Sequence, residues 1–498
     1  MKKVVLLTIL FSFLSPFFSE EIVNVKEEND ILTGFQENSI NAIEADSFKQ
    51  IEQNVETDNT QEKENNFFKP TIGNHFTAFG EAMASNLFLL GVNRFIRKAP
   101  YAYISWDSMY KNLTNPWVWD QDEFSVNHIG HPYQGSYYYI AGRSNNLPFW
   151  ESALVAVTGS VTWELFAETE TPSYNDLIVT TIGGISLGEM LHRLYFDAAD
   201  LNKLLGFAVS PFSSINNAIW SGKLNRPSDR VTSFNTKLFF GVIADEIFFK
   251  QTAIENKDII PFYLGGGVNI IYGNPYGLET IIPYSHFNLD VKFSGGKNYY
   301  NLSIFSDGML LSFAPWEQDR LKTTLGLSLH YDFLVSTGTN YSANSLGFTI
   351  KQNAILPKDW DIKWDLHLNY IMMSASDFYY LFNEIIDPGT NLENRSYDLG
   401  FGTGLKTNFS VSHPKVGSLH LFYFLDWVKT IDSSIPAGGS HGSSLIGVGS
   451  VAYEHKVYKS FSIGIDYSSY IKSAFYTDIE STYEHNQYIS IYFKNQFK

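Results

Sequence analysis

The chain has 498 residues with a formal net charge of -17, and it contains no cysteine. That charge argues against phosphate binding, which needs clustered Lys and Arg, so no nucleic-acid partner is predicted. The absence of thiols excludes disulfides, thiolate metal sites and cysteine nucleophiles. Charged residues make up 17% of the chain and aromatic residues 16%. The charged share lies below the roughly 25% of soluble domains.

The N-terminal segment has the pattern of a secretory signal peptide, predicted over residues 1–19. Two lysines follow Met1, an apolar run covers residues 4–14, and the small residues Ser15 and Ser19 precede an acidic stretch. The apolar run is shorter than the roughly 20 residues that span a bilayer, which disfavours a retained anchor. We therefore expect the chain to be exported.

Residues 20–69 form a second, strongly acidic segment. They contain 13 Asp or Glu against 4 Lys and are rich in Asn and Gln. Such a segment cannot bury enough apolar surface to offset the entropy of ordering it. It is predicted to be a disordered spacer, and capture of a periplasmic partner through its charge is the functional alternative.

From about residue 231 onward, apolar and polar side chains alternate with a period of two. In one clear window, Leu325, Leu327 and Leu329 alternate with Gly326 and Ser328. Because successive strand side chains point to opposite faces, each window has one apolar and one polar face. About twelve strands are predicted, near 234–248, 258–271, 283–295, 298–312, 321–334, 343–354, 360–373, 395–411, 416–428, 444–456, 459–472 and 485–497.

This alternation fits a soluble β-protein with its apolar face inside or an outer-membrane barrel with that face toward lipid. The windows reach the roughly ten residues of a tilted membrane-crossing strand and exceed the usual strand length of about five or six. Aromatic residues such as Trp316, Trp360 and Trp427 recur near window ends. We predict a mainly β fold, an antiparallel transmembrane β-barrel of about 12 strands over residues 231–498, with His, Asp, Asn and Lys facing the lumen.

The last predicted strand ends in apolar residues that share one face, including Ile489, Ile491, Phe493 and Phe497. This resembles the aromatic-ended strand by which bacterial outer-membrane barrels are recognised for assembly. The expected location is therefore the outer membrane, and the expected partners are outer-membrane lipid and the barrel assembly machinery.

Residues 70–230 lose the period of two and predict a helical module with a buried polar cluster. Helices are expected over residues 75–97, 150–168 and 176–195, the last with Asp176 as its N-cap. The module is expected to lie inside the barrel as a plug, beneath it as a periplasmic base, or against the membrane surface.

Polar residues concentrate in this module and follow a recognisable order. The run N-x-x-x-H-P-Y-x-G-x-x-Y-x-x-x-x-R begins at Asn127, and W-E-x-x-x-E, P-S-x-x-D and G-x-x-x-G-E follow it. Over residues 75–195 the chain resembles an uncharacterised bacterial family, domain of unknown function 3943. The resemblance implies no particular activity, cofactor or catalytic residue.

The candidate catalytic residues are His131, Glu164, Glu168 and Asp176. Glu164 and Glu168 are spaced to share a helix face, where two carboxyl groups could share a proton, hold a cation, or pair with Arg143 and His131. Glu189 and Arg193 are spaced for an ion pair. The bland alternative is a buried polar network that fixes helix packing. The candidate binding residues are Asp120, Asp122, Asn127, His128, Tyr133, Arg143, Ser173, Glu189 and Arg193.

No cofactor is predicted. The metal question stays open because His128-x-x-His131 is a weak zinc signal: the Gly and Pro around it favour a turn over the helix that usually presents paired ligands. The first functional hypothesis is an outer-membrane barrel with a structural or transport-related role, the module being its plug or base. The second is a membrane-embedded hydrolase or transferase acting on lipid or envelope glycan. The third is a soluble periplasmic ligand-binding β-protein.

Overall fold

The computed structural model describes residues 68–219, 224–248, 262–297, 299–336, 339–377, 395, 397–435 and 439–497. Apart from residues 68–70, the described residues belong to one unit, Thr71–Lys498. The predicted signal peptide and residues 20–67 of the predicted spacer lie outside the described residues, so both stay predictions.

The C-terminal part of the chain forms a closed antiparallel barrel in which sequence neighbours pair and β1 pairs with β12. The barrel confirms the twelve predicted strands. Bulges on β4, at Met309/Leu311 and Phe313/Trp316, carry that strand beyond its predicted end. The strands are β1 Val231–Phe248, β2 Phe262–Tyr272, β3 Phe287–Gly296, β4 Tyr299–Gln318, β5 Leu321–Ser336, β6 Thr339–Leu356, β7 Trp360–Asp377, β8 Tyr397–His413, β9 Gly417–Thr430, β10 Gly442–Tyr458, β11 Phe461–Tyr476 and β12 Thr482–Gln496.

Contacts between distant strands identify the lumen face. Lys406 Nζ on β8 lies 2.6 Å from Asp332 Oδ1 on β5. The Tyr341 hydroxyl on β6 donates to Asp426 Oδ2 on β9 at 2.5 Å. Along the wall, three strand spacings amount to about 14 Å, so these side chains can meet only across the lumen. Even-numbered residues around Asp332 therefore point inward, and their odd-numbered neighbours point outward.

The outward face is apolar, as predicted. Examples are Leu238, Leu368, Phe401, Leu421 and Ile465, all exposed on the barrel exterior. This arrangement contradicts the soluble alternative, which requires the apolar face to lie inside.

The lumen is less polar than predicted, and this corrects the expectation of a bore lined only by polar groups. Tyr341, Phe424 and Ile446 belong to a buried cluster on the lumen side. Phe305 on β4 reaches Phe424 on β9, with ring centroids 5.6 Å apart. Since these strands lie nearly opposite each other in a twelve-strand barrel, aromatic side chains cross the lumen at this level.

The helical module contains seven α-helices among the described residues. A π-helical turn, Val92–Arg97, extends the first helix, and another, Val126–Gly130, leads into the third. The predicted helices at 75–97, 150–168 and 176–195 are thus present with shifted ends. The helices are α1 Ile72–Gly91, α2 Trp106–Thr114, α3 His131–Ser144, α4 Phe149–Phe166, α5 Tyr174–Leu201, α6 Lys203–Val209 and α7 Pro211–Ile219.

The module packs against the outer wall of the barrel. Tyr331 and Phe333 are fully buried although they share the outward face of β5. The Tyr331 hydroxyl donates to the carbonyl oxygen of His128 at 2.6 Å, and Phe333 stacks on Phe124 at 5.6 Å. Outward-facing Tyr397 on β8 joins the same buried cluster.

Helix α5 follows this wall over most of its height. Near its start, Trp119 contacts Tyr174 and donates to Ser433, beyond the end of β9. Near its other end, Arg193 donates to Pro283 O in the connection between β2 and β3. A helix of 28 residues is about 42 Å long. The plug and base placements are therefore wrong, because outward-facing strand residues, not lumen residues, hold the module.

None of the described helices is both long and apolar enough to meet the criteria for a membrane-crossing helix.

Candidate functional site

A short parallel bridge assembles the candidate site at the start of α5. Val118 N–H donates to Pro172 O at 3.0 Å, and Tyr174 N–H donates to Val118 O at 2.9 Å. This bridge joins residues 115–125 to the connection between α4 and α5. Six carboxylic residues from these segments and from the adjoining ends of α4 and α5 form what we call the acid cluster: Asp120, Asp122, Glu164, Glu168, Glu170 and Asp176.

Ser173 connects two members of the acid cluster. Its backbone N–H donates to Glu164 Oε2 at 2.9 Å, and its hydroxyl donates to Asp176 Oδ2. The same hydroxyl accepts the Asp176 N–H at 3.1 Å, so Ser173 caps α5. The prediction that Asp176 is the N-cap is therefore wrong. Ser173 is the N-cap, and Asp176 lies in the first turn, where its carboxyl group accepts a hydrogen bond from the Ser173 hydroxyl.

Asp120 is held by backbone and amide groups. Its Oδ2 accepts from Asp122 N–H at 2.8 Å and from Asn127 Nδ2 at 2.7 Å. Its own N–H donates to Asn175 Oδ1, and Asn175 Nδ2 donates to Asp176 Oδ1 at 2.9 Å. The predicted residues Asp120, Asp122, Asn127 and Asp176 are thus brought together.

His131 borders this cluster at the first position of α3. Its Nε2 lies 3.8 Å from Asp176 Oδ1, and its buried Nδ1 has no hydrogen-bond partner among the described residues. Pro132 follows it within the first helical turn, where a missing N–H costs no helix bond. The prediction that Gly and Pro would leave this segment as a turn is therefore wrong: a helix presents His131.

His128 has a different environment from His131. Its ring lies 5.0 Å from the ring of Phe124 and 5.3 Å from that of Tyr397, measured between centroids. Burial, with the nearby charges of His131 and Arg395, lowers the pKa of His128 to about 3. A neutral aromatic packing role follows for His128, and the predicted pair of histidines does not share one site.

Burial disfavours the ionised form of Glu164, Glu168 and Asp176. Burial first, and the neighbouring Asp176 second, raise the pKa of Glu164 to about 8. Burial and Glu164 raise the pKa of Glu168, and burial and Asp120 raise the pKa of Asp176. Glu168 does not share the helix face of Glu164 as predicted, because α4 ends at Phe166. Its Oε2 accepts instead from Trp163 Nε1 at 3.1 Å.

A second polar group, the arginine cluster, lies farther along α5 and consists of Tyr139, Arg143, Glu189 and Arg193. Glu189 accepts from Arg193 Nε at 2.7 Å, from Arg143 Nε at 2.8 Å and from the Tyr139 hydroxyl at 2.8 Å. The two guanidinium groups neutralise the Glu189 carboxylate, whose side chain is fully buried.

The arginine cluster confirms the predicted ion pair of Glu189 with Arg193. The alternative in which Glu164 and Glu168 pair with Arg143 is wrong, because Arg143 pairs with Glu189. The Tyr133 hydroxyl bonds to that of Tyr137 at 2.8 Å. The single polar cluster expected from the sequence is thus two clusters with opposite charge balance.

Three members of the acid cluster could hold a metal ion. Asp120, Asp122 and Glu170 each offer one carboxylate oxygen, and these oxygens lie within 4.8 Å of one another. An all-oxygen set suits a hard cation such as Ca²⁺ or Mg²⁺. Burial and the neighbouring Asp120 raise the pKa of Asp122 to about 6.

Sequence reasoning missed three residues at this site. Arg395 donates to Asp120 O at 3.2 Å, and the Tyr397 hydroxyl donates to Asp122 O at 3.0 Å. Both lie at the start of β8, about 270 residues away along the chain, and nothing in the sequence links them to the module. Glu170 was within reach of prediction, since it lies two residues after Glu168 in the connection to α5.

The comparisons with known proteins concern the module and the barrel separately. Residues 116–210 match the family described as Domain of unknown function (DUF3943). The resemblance predicted over residues 75–195 is thereby confirmed from residue 116 onward. The acid cluster and the arginine cluster both lie within the matched range. Among curated proteins, none matches this chain.

Solved structures similar to this chain include several barrels. The KdgM porin is 7% identical, with 53% of this chain and 99% of the other covered and a TM-score of 0.23. An outer membrane channel from Pseudomonas putida F1 is 7% identical, covering 54% and 96% with a TM-score of 0.30. The TodX monoaromatic hydrocarbon channel is 7% identical, covering 55% and 91% with a TM-score of 0.24.

Proposed function

We propose that this chain is an outer-membrane β-barrel protein whose helical module carries an acid–base site for hydrolysis or group transfer on an envelope lipid or glycan. The outer-membrane location is supported by the closed barrel with its apolar exterior. It is also supported by the short turns, such as residues 319–320 and 459–460, at the barrel end where the last strand finishes.

The contrast between the two polar clusters carries the enzymatic proposal. In the arginine cluster, Glu189 is neutralised by two guanidinium groups, as a structural ion network requires. Among the described residues, no Lys or Arg lies within 4.0 Å of the carboxyl groups of Glu164, Glu168 or Asp176. Buried carboxyl groups with raised pKa values and no cationic partner destabilise a fold, and such groups concentrate where chemistry needs them.

His131 and Glu164 have complementary roles in this proposal. His131, oriented by Asp176, accepts the proton of an attacking water or hydroxyl group through a ring nitrogen. The nucleophile's oxygen bonds to the reacting carbon while the ester or glycosidic C–O bond breaks. Glu164, protonated near neutral pH, donates its proton to the leaving oxygen. One proton thus passes from the nucleophile to the leaving group, and no redox partner is needed.

The test compares His131→Ala and Glu164→Gln with the wild type and with the matched surface variant Lys111→Gln. Cells producing each protein are compared by mass spectrometry of their total envelope lipids and glycan fragments. We expect cells with the wild type or Lys111→Gln to form the same product, and the amount of this product to fall by about 10²–10⁴-fold in the two site variants.

Heat-modifiable gel migration shows whether each variant forms the barrel. If all four proteins assemble and give identical lipid and glycan profiles, the proposal is wrong. If both site variants fail to assemble, the acid cluster is a packing network and not a reaction site.

A transport-related role is the second candidate, favoured by the charged groups of the lumen. Lys351 lies 3.0 Å from Asp307 and 3.2 Å from Asp365, and Lys406 pairs with Asp332. The aromatic contact of Phe305 with Phe424 crosses the same lumen. Liposome swelling assays separate the candidates: a transporter conducts small solutes in the wild-type form, whereas the enzymatic proposal requires no conductance.

A further inference from the structure

The helices of the module have the reverse of the polarity expected for a bundle exposed to water. On α1, the buried positions include Asn74 and Asn86, while the exposed positions include Phe76 and Phe88. Asn86 donates through Nδ2 to Gly159 O at 3.1 Å, so its polarity is used inside the bundle. Polar and small residues inside with large apolar residues outside characterise helices that contact lipid.

The exposed face of α1 and α4 forms a continuous apolar surface. Phe76, Leu87 and Phe88 on α1 are each about 70% exposed, and Leu154 on α4 is 58% exposed. The single charged residue of α1, Glu81, points inward, where its Oε2 accepts from Asn145 and Asn216.

Exposed charges occur only near the two ends of this surface. Glu151, at the start of α4, pairs with His75 on α1. At the opposite end lie exposed Arg97, Lys98 and Asp107. Across the intervening part of α1 and α4, the described residues place no charged side chain in an exposed position.

The dimensions of this surface match a bilayer. Helix α1 has 20 residues and is therefore about 30 Å long, close to the thickness of a hydrocarbon core. Trp150 at one end is 66% exposed, and Trp106 at the other end is 87% exposed. Tryptophans in these positions are typical of the two membrane–water interfaces.

The surface also continues the apolar exterior of the barrel. The module covers outward-facing residues of the barrel wall, such as Phe287, Tyr331 and Leu399, in one buried cluster. Because the module covers that part of the wall, the outer face of the module would be the surface that contacts lipid there.

We propose that the exposed face of α1 and α4 lies in the acyl-chain layer beside the barrel, so that barrel and module contact lipid together. This inference rests on the proposed membrane location of the barrel, and the experiment below separates the two. In this arrangement the acid cluster, near the end of α4, lies at one edge of the hydrocarbon layer, within reach of lipid headgroups.

Because the chain contains no cysteine, single thiols can test lipid contact without a background. Phe88→Cys and Leu154→Cys probe the module, Ile465→Cys probes the barrel exterior, and Asp107→Cys is the water-exposed control. Each protein is reconstituted in phosphatidylcholine–phosphatidylglycerol vesicles and treated with a charged, membrane-impermeant maleimide. Heat-modifiable migration verifies folding, and labelling in denaturant verifies that each thiol is reactive.

We expect Phe88→Cys, Leu154→Cys and Ile465→Cys to react at least about tenfold more slowly than Asp107→Cys, because a charged reagent is excluded from hydrocarbon. If Ile465→Cys is protected while both module thiols react as fast as Asp107→Cys, the module faces water and the inference is overturned. If Ile465→Cys also reacts fast, the proposed membrane location of the barrel fails as well.

Discussion

Replacing Glu189 by Gln removes the carboxylate that faces two guanidinium groups inside the helical module. Glu189 is fully buried, and the side chain of Arg193 is 2% exposed. The amide would present an N–H₂ donor to groups that are themselves donors, namely the two arginines and the Tyr139 hydroxyl. Breaking a buried ion pair from one side costs about 3–5 kcal/mol. Because Arg143 is 17% exposed and can regain water, we expect Arg193 to account for most of this loss.

The matched substitution in the acid cluster, Glu164→Gln, has the opposite expectation. Gln can keep the acceptor for Ser173 N–H through its amide oxygen. It also removes a carboxyl group that lies beside Asp176 without a Lys or Arg partner. We expect the free energy of unfolding to rise or to change by less than about 1 kcal/mol.

The two variants are compared by urea unfolding in detergent micelles, with heat-modifiable migration reporting the folded fraction. Equal destabilisation by Glu164→Gln and Glu189→Gln would refute the distinction between a structural cluster and a functional one. A stable Glu189→Gln protein would show that the arginine cluster adds nothing to the fold.

Three further predictions concern the helix contacts, the acid cluster and the lumen. A Cβ on Gly184 would lie 2.5 Å from the backbone carbon of Gly135, so Gly184→Ala should destabilise the module by about 1–3 kcal/mol. Thermal shifts of migration check this, and the control Gly80→Ala, whose Cβ would meet nothing within 4 Å, should cause no loss of stability. The raised pKa of Asp122 means that folding favours its protonated form, so its stabilisation is complete below about pH 4 and is lost as the pH rises through about 6. Urea midpoints of the wild type should therefore fall relative to Asp122→Asn between about pH 4 and pH 6 and stay level above about pH 7, and a constant difference would contradict the assignment. Lys406→Met leaves the buried Asp332 unpaired, and we expect a loss of about 3–5 kcal/mol, which the double variant Lys406→Met/Asp332→Leu should largely recover in urea titrations.

The barrel could be predicted because its information is local. The period of two in windows such as 324–333 fixes which residues share a face. The length of these apolar faces and the absence of cysteine then leave few fold classes possible. The same locality explains the ion pair of Glu189 with Arg193, which needs only the spacing of one helical turn.

The placement of the module could not be predicted, because Tyr331 and Tyr397 follow the same period as residues that remain exposed. Nothing in the pattern separates an outward side chain covered by a helix from one covered by lipid. The pairing of Arg143 with Glu189 likewise depends on how α3 packs against α5, across 46 residues. That packing also divides the predicted polar cluster in two.

The contact between module and outer wall is tested most directly by a thiol cross-link between Phe124 and strand β5. Phe124 stacks on Phe333, whereas the next residue, Leu334, belongs to the lumen cluster. We predict that the Phe124→Cys/Phe333→Cys protein is joined by a short bismaleimide and shows a shifted gel band. The Phe124→Cys/Leu334→Cys protein should not be joined. Cross-linking through Leu334 but not through Phe333 would place the module inside the barrel and contradict the structure described above.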